Sequence, residues 1–290
     1  MKEANQYVED KEKNEWDNSL REWGLRFRKE HEEKYGNKTE NHNHIEKPKN
    51  FFVSSTFERI RDTVYSCRAL NGVGLITGEP GIGKSIALQW LAADEPYHAV
   101  YVQANNAERN LKPFLRKICH AFGWNTDAQY NRDLWDIIES RMPDAAERGC
   151  YIMVDEAQTL MDTVLRELVD FPSYFKVPII LVGNESTLQR KNVEAAFKQV
   201  LDRISYRVKL KKPEDKDYGN IGVSYDVYGK DARQYLVLYG RNTSLRRVDQ
   251  LLKYARAIAG QDGPVRLQHL QSANYQLNGE EGADLLIINQ

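Results

Sequence analysis

Eight consecutive residues, Gly78-Glu79-Pro80-Gly81-Ile82-Gly83-Lys84-Ser85, satisfy the pattern G-x-x-x-x-G-K-[ST] at each fixed position. Glycines allow a backbone to curl around phosphate oxygens with its N–H groups turned inward, and a helix that follows presents its positive end to them. In that chemistry Lys84 reaches the β- and γ-phosphates of a nucleoside triphosphate, and Ser85 offers a hydroxyl to Mg²⁺, which keeps most of its own waters.

About 70 residues further on, Tyr151-Ile152-Met153-Val154 runs into Asp155-Glu156. An apolar strand ending in two carboxylates pairs naturally with a phosphate loop: Asp155 is expected in the Mg²⁺ shell, and Glu156 is expected to orient and polarise an attacking water. Another apolar run, 177–182, ends at Gly183-Asn184, and a polar residue there suits a contact to the γ-phosphate or the water. Three cysteines, Cys67, Cys119 and Cys150, lie far apart without paired metal-ligand spacing and read as reduced core residues.

Strands and helices must hold these groups in place. Periodicity predicts a helix over 57–70, a strand over 73–77, a helix over 85–93, a strand over 99–103 and a helix over 108–122. A helix over 131–147 follows, with Pro143 expected to perturb its end, then the strand at 151–155, a helix over 193–203 and a strand over 205–210. Beyond Lys211-Lys212-Pro213 only helices are expected, at 231–239, 243–259 and 265–277, separated by Gly240 and by 260–264. The fold class is therefore α/β, with a central parallel five-stranded sheet flanked by helices over 51–212 and a small helical lid over 213–277.

The flanks differ in composition. Residues 1–50 mix both charge signs densely, with one amphipathic stretch over about 9–34 in which Trp16, Leu20, Trp23 and Phe27 recur at helical spacing. That stripe packs on its own body or docks on a neighbouring subunit or another protein; His42 and His44 read as solvated loop residues. The tail 278–290 carries Leu285-Leu286-Ile287-Ile288. A net charge of -1 over 290 residues leaves any nucleic-acid contact to local basic patches. No apolar stretch has the length of a signal peptide or a membrane span, so a cytoplasmic protein is expected.

Taken together, the phosphate loop, the Asp155-Glu156 strand, the polar strand end, Asp202-Arg203 before a fifth strand and the helical lid resemble the AAA+ ATPases. Within them, Asp155-Glu156-Ala157-Gln158-Thr159-Leu160, Ile180-Leu181-Val182-Gly183-Asn184, Asp202-Arg203-Ile204 and Leu245-Arg246-Arg247-Val248 are similar to the Mu B-type family of transposition ATPases and related transposon target-selection ATPases. The resemblance covers about 51–277 and implies ATP and Mg²⁺ as cofactors, with nucleotide contacts from Gly78 to Ser85, from Ile86 and from Arg246 as sensor 2. It implies Asn184 as sensor 1 and Arg203 as an arginine finger reaching a neighbour's nucleotide; read by themselves, Arg203 caps its helix and Arg246 is a surface charge. It also implies a homo-oligomer, ring or helical filament, on double-stranded DNA without sequence preference, a transposase as partner and no membrane. Residues 1–50 are too short and too charged for the helix-turn-helix domain of that family, so DNA contact falls to Arg109 and Lys112 or to Arg190 and Lys191, each also readable as a solvated face. A DNA-free signalling or remodelling ATPase, similar to secretion-associated ATPases, is the alternative.

Overall fold

A computed structural model describes residues 45–126, 131–184, 195–260 and 263–279. The amphipathic stretch at 9–34, His42, His44, Arg190, Lys191 and the apolar tail lie outside the described residues. By its internal contacts the chain forms two units: one gathers Arg59–Thr77 and Leu88–Lys209, the other Lys47–Glu58, Gly78–Ala87 and the chain from Leu210.

In chain order the first elements are α1 (Ser55–Leu70), β1 (Val73–Thr77), α2 (Lys84–Asp94) and β2 (Ala99–Gln103), followed by α3 (Leu111–Ala121) and α4 (Asn131–Glu147). Then come β3 (Tyr151–Asp155), α5 (Asp162–Phe175), β4 (Ile179–Gly183), α6 (Ala195–Arg203) and β5 (Tyr206–Lys209). Four helices finish the chain: α7 (Asp215–Val223), α8 (Lys230–Asn242), α9 (Leu245–Ala259) and α10 (Leu267–Asn278). Among the described residues no helix is long and apolar enough to cross a membrane.

The first unit is built on one five-stranded sheet in the order β2-β3-β4-β1-β5, every neighbouring pair parallel. Every residue of β3 and β4 is buried, as expected where both faces of a parallel sheet are covered; β5, at one edge, alternates between half-buried and exposed. Because all five strands run the same way, Thr77, Asp155 and Gly183 finish at one edge, the carboxyl edge at which parallel α/β sheets present their binding loops. Lower in the sheet, Arg68 and Glu95 form a fully buried ion pair at 2.7 Å. The Arg68 guanidinium lies 4.5 Å from the Tyr151 ring centroid, and Tyr65 donates its hydroxyl to Glu95 at 3.3 Å.

Four local expectations change. Helix α4 runs through Pro143 without ending. Pro143 and Glu139, whose carbonyl the proline cannot serve, both lie on the exposed face of the helix, while Met142 and Ala145 anchor the buried face. Residues 162–175, given no element above, form α5, and its buried Val164, Leu165, Leu168 and Val169 show the spacing that would have found it despite Pro172. Gly240 lies inside α8 and separates nothing: a Cβ there would stand 2.3 Å from the Tyr218 ring, so the glycine makes room for α7. Helix α7 is likewise an addition to the three lid helices expected.

In the second unit, a core of Tyr218, Leu236, Tyr239, Val248, Leu251, Leu252, Val265 and Leu270 joins α7 to α10. Each large apolar side chain so buried contributes roughly 1.5–3 kcal/mol. Asp217, fully buried in α7, accepts from the Ser55 N–H at 3.0 Å and from the Ser55 hydroxyl at 2.5 Å, fastening the start of α1 to α7.

Candidate functional site

The phosphate loop belongs to the second unit and leaves the end of β1 directly. Gly81 (φ 80°) and Gly83 (φ 98°) adopt the left-handed region that side chains disfavour. At Gly81 a Cβ would also come within 2.8 Å of Ser244 Oγ. Lys84 opens α2; its ammonium is buried and donates to the carbonyl oxygens of Gly78 and Glu79, each at 2.8 Å. A lysine held inside a curled backbone ahead of an 11-residue helix is a cation and helix N-terminus presented to the same anion.

Around the loop, residues of the same unit line a pocket: Phe51, Phe52, Ile221 and Leu245 give it apolar walls, and Gly81, Lys84, Ser85, Ile86 and Arg246 its polar side. The segment at 49–57 that supplies the two phenylalanines is the one Asp217 fastens, and Phe51 stands edge-on to Phe57 with centroids 4.9 Å apart. Ser244 caps α9, and the Arg246 N–H donates to the Gly81 carbonyl at 3.1 Å. Asp249, also on the pocket, accepts from the Tyr225 hydroxyl and the Lys253 ammonium, each at 2.6 Å. Burial and then the bond to Asp249 push the Tyr225 phenol up to about 12. Inward glycines, a buried ammonium and an apolar slot fit a nucleotide: phosphates on the loop, a flat base between hydrophobic walls.

The carboxylates belong to the first unit. Asp155, 1% exposed at the end of β3, accepts from the Glu156 N–H at 2.9 Å and from the Tyr101 hydroxyl at 3.1 Å. Burial, with Asp155 beside it, raises the Tyr101 pKa and keeps that phenol a donor. Glu156 takes the left-handed conformation (φ 53°, ψ 34°), which costs a side-chain-bearing residue about 1–2 kcal/mol and is tolerated at functional turns. Its carbonyl accepts from the Thr159 N–H at 2.9 Å and hydroxyl at 3.0 Å, and its carboxylate accepts from the Gln158 amide. Gln158 Oε1 in turn accepts the Asn184 N–H at 3.1 Å. Asp155, Glu156 and Asn184 are thus brought together, with Gln158 and Tyr101 as partners that carried no role in the sequence reading. As a buried carboxylate oriented by two donors, Asp155 has the oxygen chemistry that Mg²⁺ takes, and the Ser85 hydroxyl is of the same hard type.

Arg203 closes α6 and pairs with Asp170 of α5, its side chain 52% exposed. Arg109 is exposed after a short 3₁₀ turn, and its carbonyl accepts the Met161 N–H at 3.1 Å, tying the loop after β2 to the turn after β3. Lys112 lies half-buried in the first turn of α3. All three cysteines are buried thiols, with burial raising Cys67 to about 12 and Cys119 and Cys150 to about 11.

Residues 68–191 match a family model described as an AAA domain. Among curated proteins no sequence matches at a significant level. Among solved structures, ORC2 of Aeropyrum pernix in its ADP form superposes with a TM-score of 0.57 at 20% identity, covering 80% of this chain and 70% of that one. Cdc6p of Pyrobaculum aerophilum gives 0.54 at 13% identity, covering 76% and 65%, so this chain spans just under two thirds of its length. PCH-2 of C. elegans gives 0.51 at 14% identity, covering 79% and 70%. The likeness is one of fold: an α/β architecture with a parallel five-stranded sheet.

Proposed function

We propose that this chain, of which residues 68–191 match an AAA-domain model, is an AAA+ ATPase whose ATP-bound form assembles on duplex DNA and serves transposition as target-selection factor and transposase activator. The observation that carries the nucleotide reading is the Lys84 ammonium, buried within a loop whose two left-handed glycines open the backbone to phosphate. The ORC2 neighbour, solved as an ADP form, lends support of the same kind. The transposition reading is supported by the four stretches quoted above, above all Asp155 to Leu160.

In the proposed reaction the loop N–H groups and Lys84 bind the phosphates, and the slot of Phe51, Phe52, Ile221 and Leu245 takes the base. Mg²⁺ would supply charge neutralisation of the phosphates, with the Ser85 hydroxyl and the Asp155 carboxylate as this chain's donors for it. Glu156 orients a water: its oxygen bonds to the γ-phosphorus, the bond to the β,γ-bridging oxygen breaks, and the water's proton passes to the carboxylate. Asn184 serves as sensor 1, Arg246 as sensor 2 and Arg203 as the finger for a neighbouring subunit. DNA is held by repetition of a modest basic face, Arg109 with Lys112, along the oligomer.

One experiment separates the parts: binding of a fluorescent duplex as a function of ATP and salt for the wild type, Lys84→Ala and Glu156→Gln. Lys84→Ala is expected to lose nucleotide and DNA binding together, and Glu156→Gln to keep both while nearly stopping hydrolysis. Wild-type binding should require ATP and fall steeply with salt, and double neutralisation of Arg109 and Lys112 should flatten that slope. Hydrolysis without DNA binding at any salt concentration leaves the ATPase and removes transposition. Wild-type turnover in Glu156→Gln overturns the catalytic assignment.

A further inference from the structure

Gln158 follows Glu156 by two residues, in the 3₁₀ turn Ala157–Thr159 that the left-handed backbone of Glu156 introduces. Its side-chain amide has two ends, and both are engaged within the first unit. One donates to the Glu156 carboxylate at Oε2; the other, Oε1, accepts the Asn184 N–H at 3.1 Å. The identity of the two ends follows from chemistry. A backbone N–H only donates, so the end facing Asn184 is the carbonyl oxygen, and the NH₂ end therefore faces a carboxylate that accepts it. Reversing the amide would set donor against donor at Asn184 and acceptor against acceptor at Glu156.

The neighbourhood is shaped for this bridge. A Cβ on Gly183 would stand 2.3 Å from Gln158 Oε1, so only a glycine at the last position of β4 leaves room for the amide there. The Thr159 N–H and hydroxyl hold the Glu156 carbonyl at 2.9 and 3.0 Å, which anchors the backbone of the turn while the amide anchors the carboxylate. With Oε2 of Glu156 taken by Gln158, the second carboxylate oxygen is the one left to address a water.

We propose that Gln158 is a positioning residue for the hydrolytic water: it sets the rotation of the Glu156 carboxylate and ties that rotation to the end of β4 at Asn184. The inference rests on the reading of Glu156 as the water-orienting carboxylate. A shift of the β4 end then reaches the base through one amide, without passing through the backbone of β3.

Two variants separate positioning from packing. Gln158→Glu keeps an oxygen to accept the Asn184 N–H but replaces the donor to Glu156 with a second carboxylate. Gln158→Leu removes both bonds at similar volume. Single-turnover ATP hydrolysis is expected to slow at least tenfold in both variants, while affinity for a non-hydrolysable ATP analogue stays within twofold of the wild type. In the double variant with Glu156→Gln, the Gln158 change should add nothing further. Wild-type turnover in Gln158→Glu, or a loss of analogue affinity as large as the loss of rate, overturns the proposal and reduces Gln158 to a brace between two loops. Should Gln158→Leu fail to fold, Gln158→Glu decides alone, because it preserves the contact to β4. The underlying reading fails separately: if Glu156→Gln hydrolyses ATP like the wild type, Glu156 is not the base, whereas an inactive Glu156→Gln beside an active Gln158→Glu removes only Gln158.

Discussion

The backbone N–H of Arg246 donates to the carbonyl oxygen of Gly81 at 3.1 Å, so the phosphate loop and the first turn of α9 share a main-chain hydrogen bond. The same glycine has φ of 80°, and Ser244, the cap of α9, fills the space where its side chain would be.

Gly81→Ala should therefore injure the loop twice, through about 1–2 kcal/mol of left-handed strain and through a Cβ placed 2.8 Å from Ser244 Oγ. We expect ATP affinity to fall at least tenfold in a fluorescent-nucleotide titration, with a lowered Tm. Arg246→Ala retains the main-chain bond and should keep the Tm while weakening nucleotide binding. Equal Tm losses in the two variants would make the Arg246 side chain structural.

Arg203, its side chain half exposed, pairs with the half-buried Asp170, and a pair open to solvent on one side contributes about 1 kcal/mol. If Arg203 also acts on a neighbour's nucleotide, Arg203→Ala should lower turnover at least tenfold at protein concentrations that permit assembly, yet shift Tm by no more than about 2–4 °C. Asp170→Asn, which breaks the pair and spares the guanidinium, should retain turnover. Mixing Arg203→Ala with Lys84→Ala should restore activity, because each supplies what the other lacks. Unchanged turnover in Arg203→Ala would leave a helix cap.

Tyr225 carries a pH signature. Its phenol ordinarily titrates near 10.0 and is pushed up to about 12 in the fold, so the folded state holds the proton more tightly. The stabilisation is present in full below pH 10 and is lost as pH rises through about 12. Thermal melts of the wild type and Tyr225→Phe should differ most at neutral pH and converge between pH 10 and 12. A gap that stays constant across that range would separate the hydroxyl from the stability of this unit. Since Tyr225 holds Asp249 on the pocket, the substitution should also weaken nucleotide binding at neutral pH.

What the residues alone determined is what contiguous chain dictates. The glycine spacing from Gly78 to Gly83, with Lys84 behind it, fixes a local backbone path that needs no distant partner, and the apolar run into Asp155 makes a strand wherever both its faces are covered. Both are therefore legible before any folding. The partnership of Gln158 with Asn184, 26 residues away in sequence, was not, because it exists only once parallel pairing brings the ends of β3 and β4 to one edge. Gly240 likewise reads as punctuation until the Tyr218 ring arrives from another helix, and Asp217 reads as an ordinary surface acid until Ser55, 162 residues away, takes both its oxygens. Local conformation follows from side-chain sterics along the chain; which polar group satisfies which is decided by tertiary proximity, since a hydrogen bond is worth having only where burial removes the competing water.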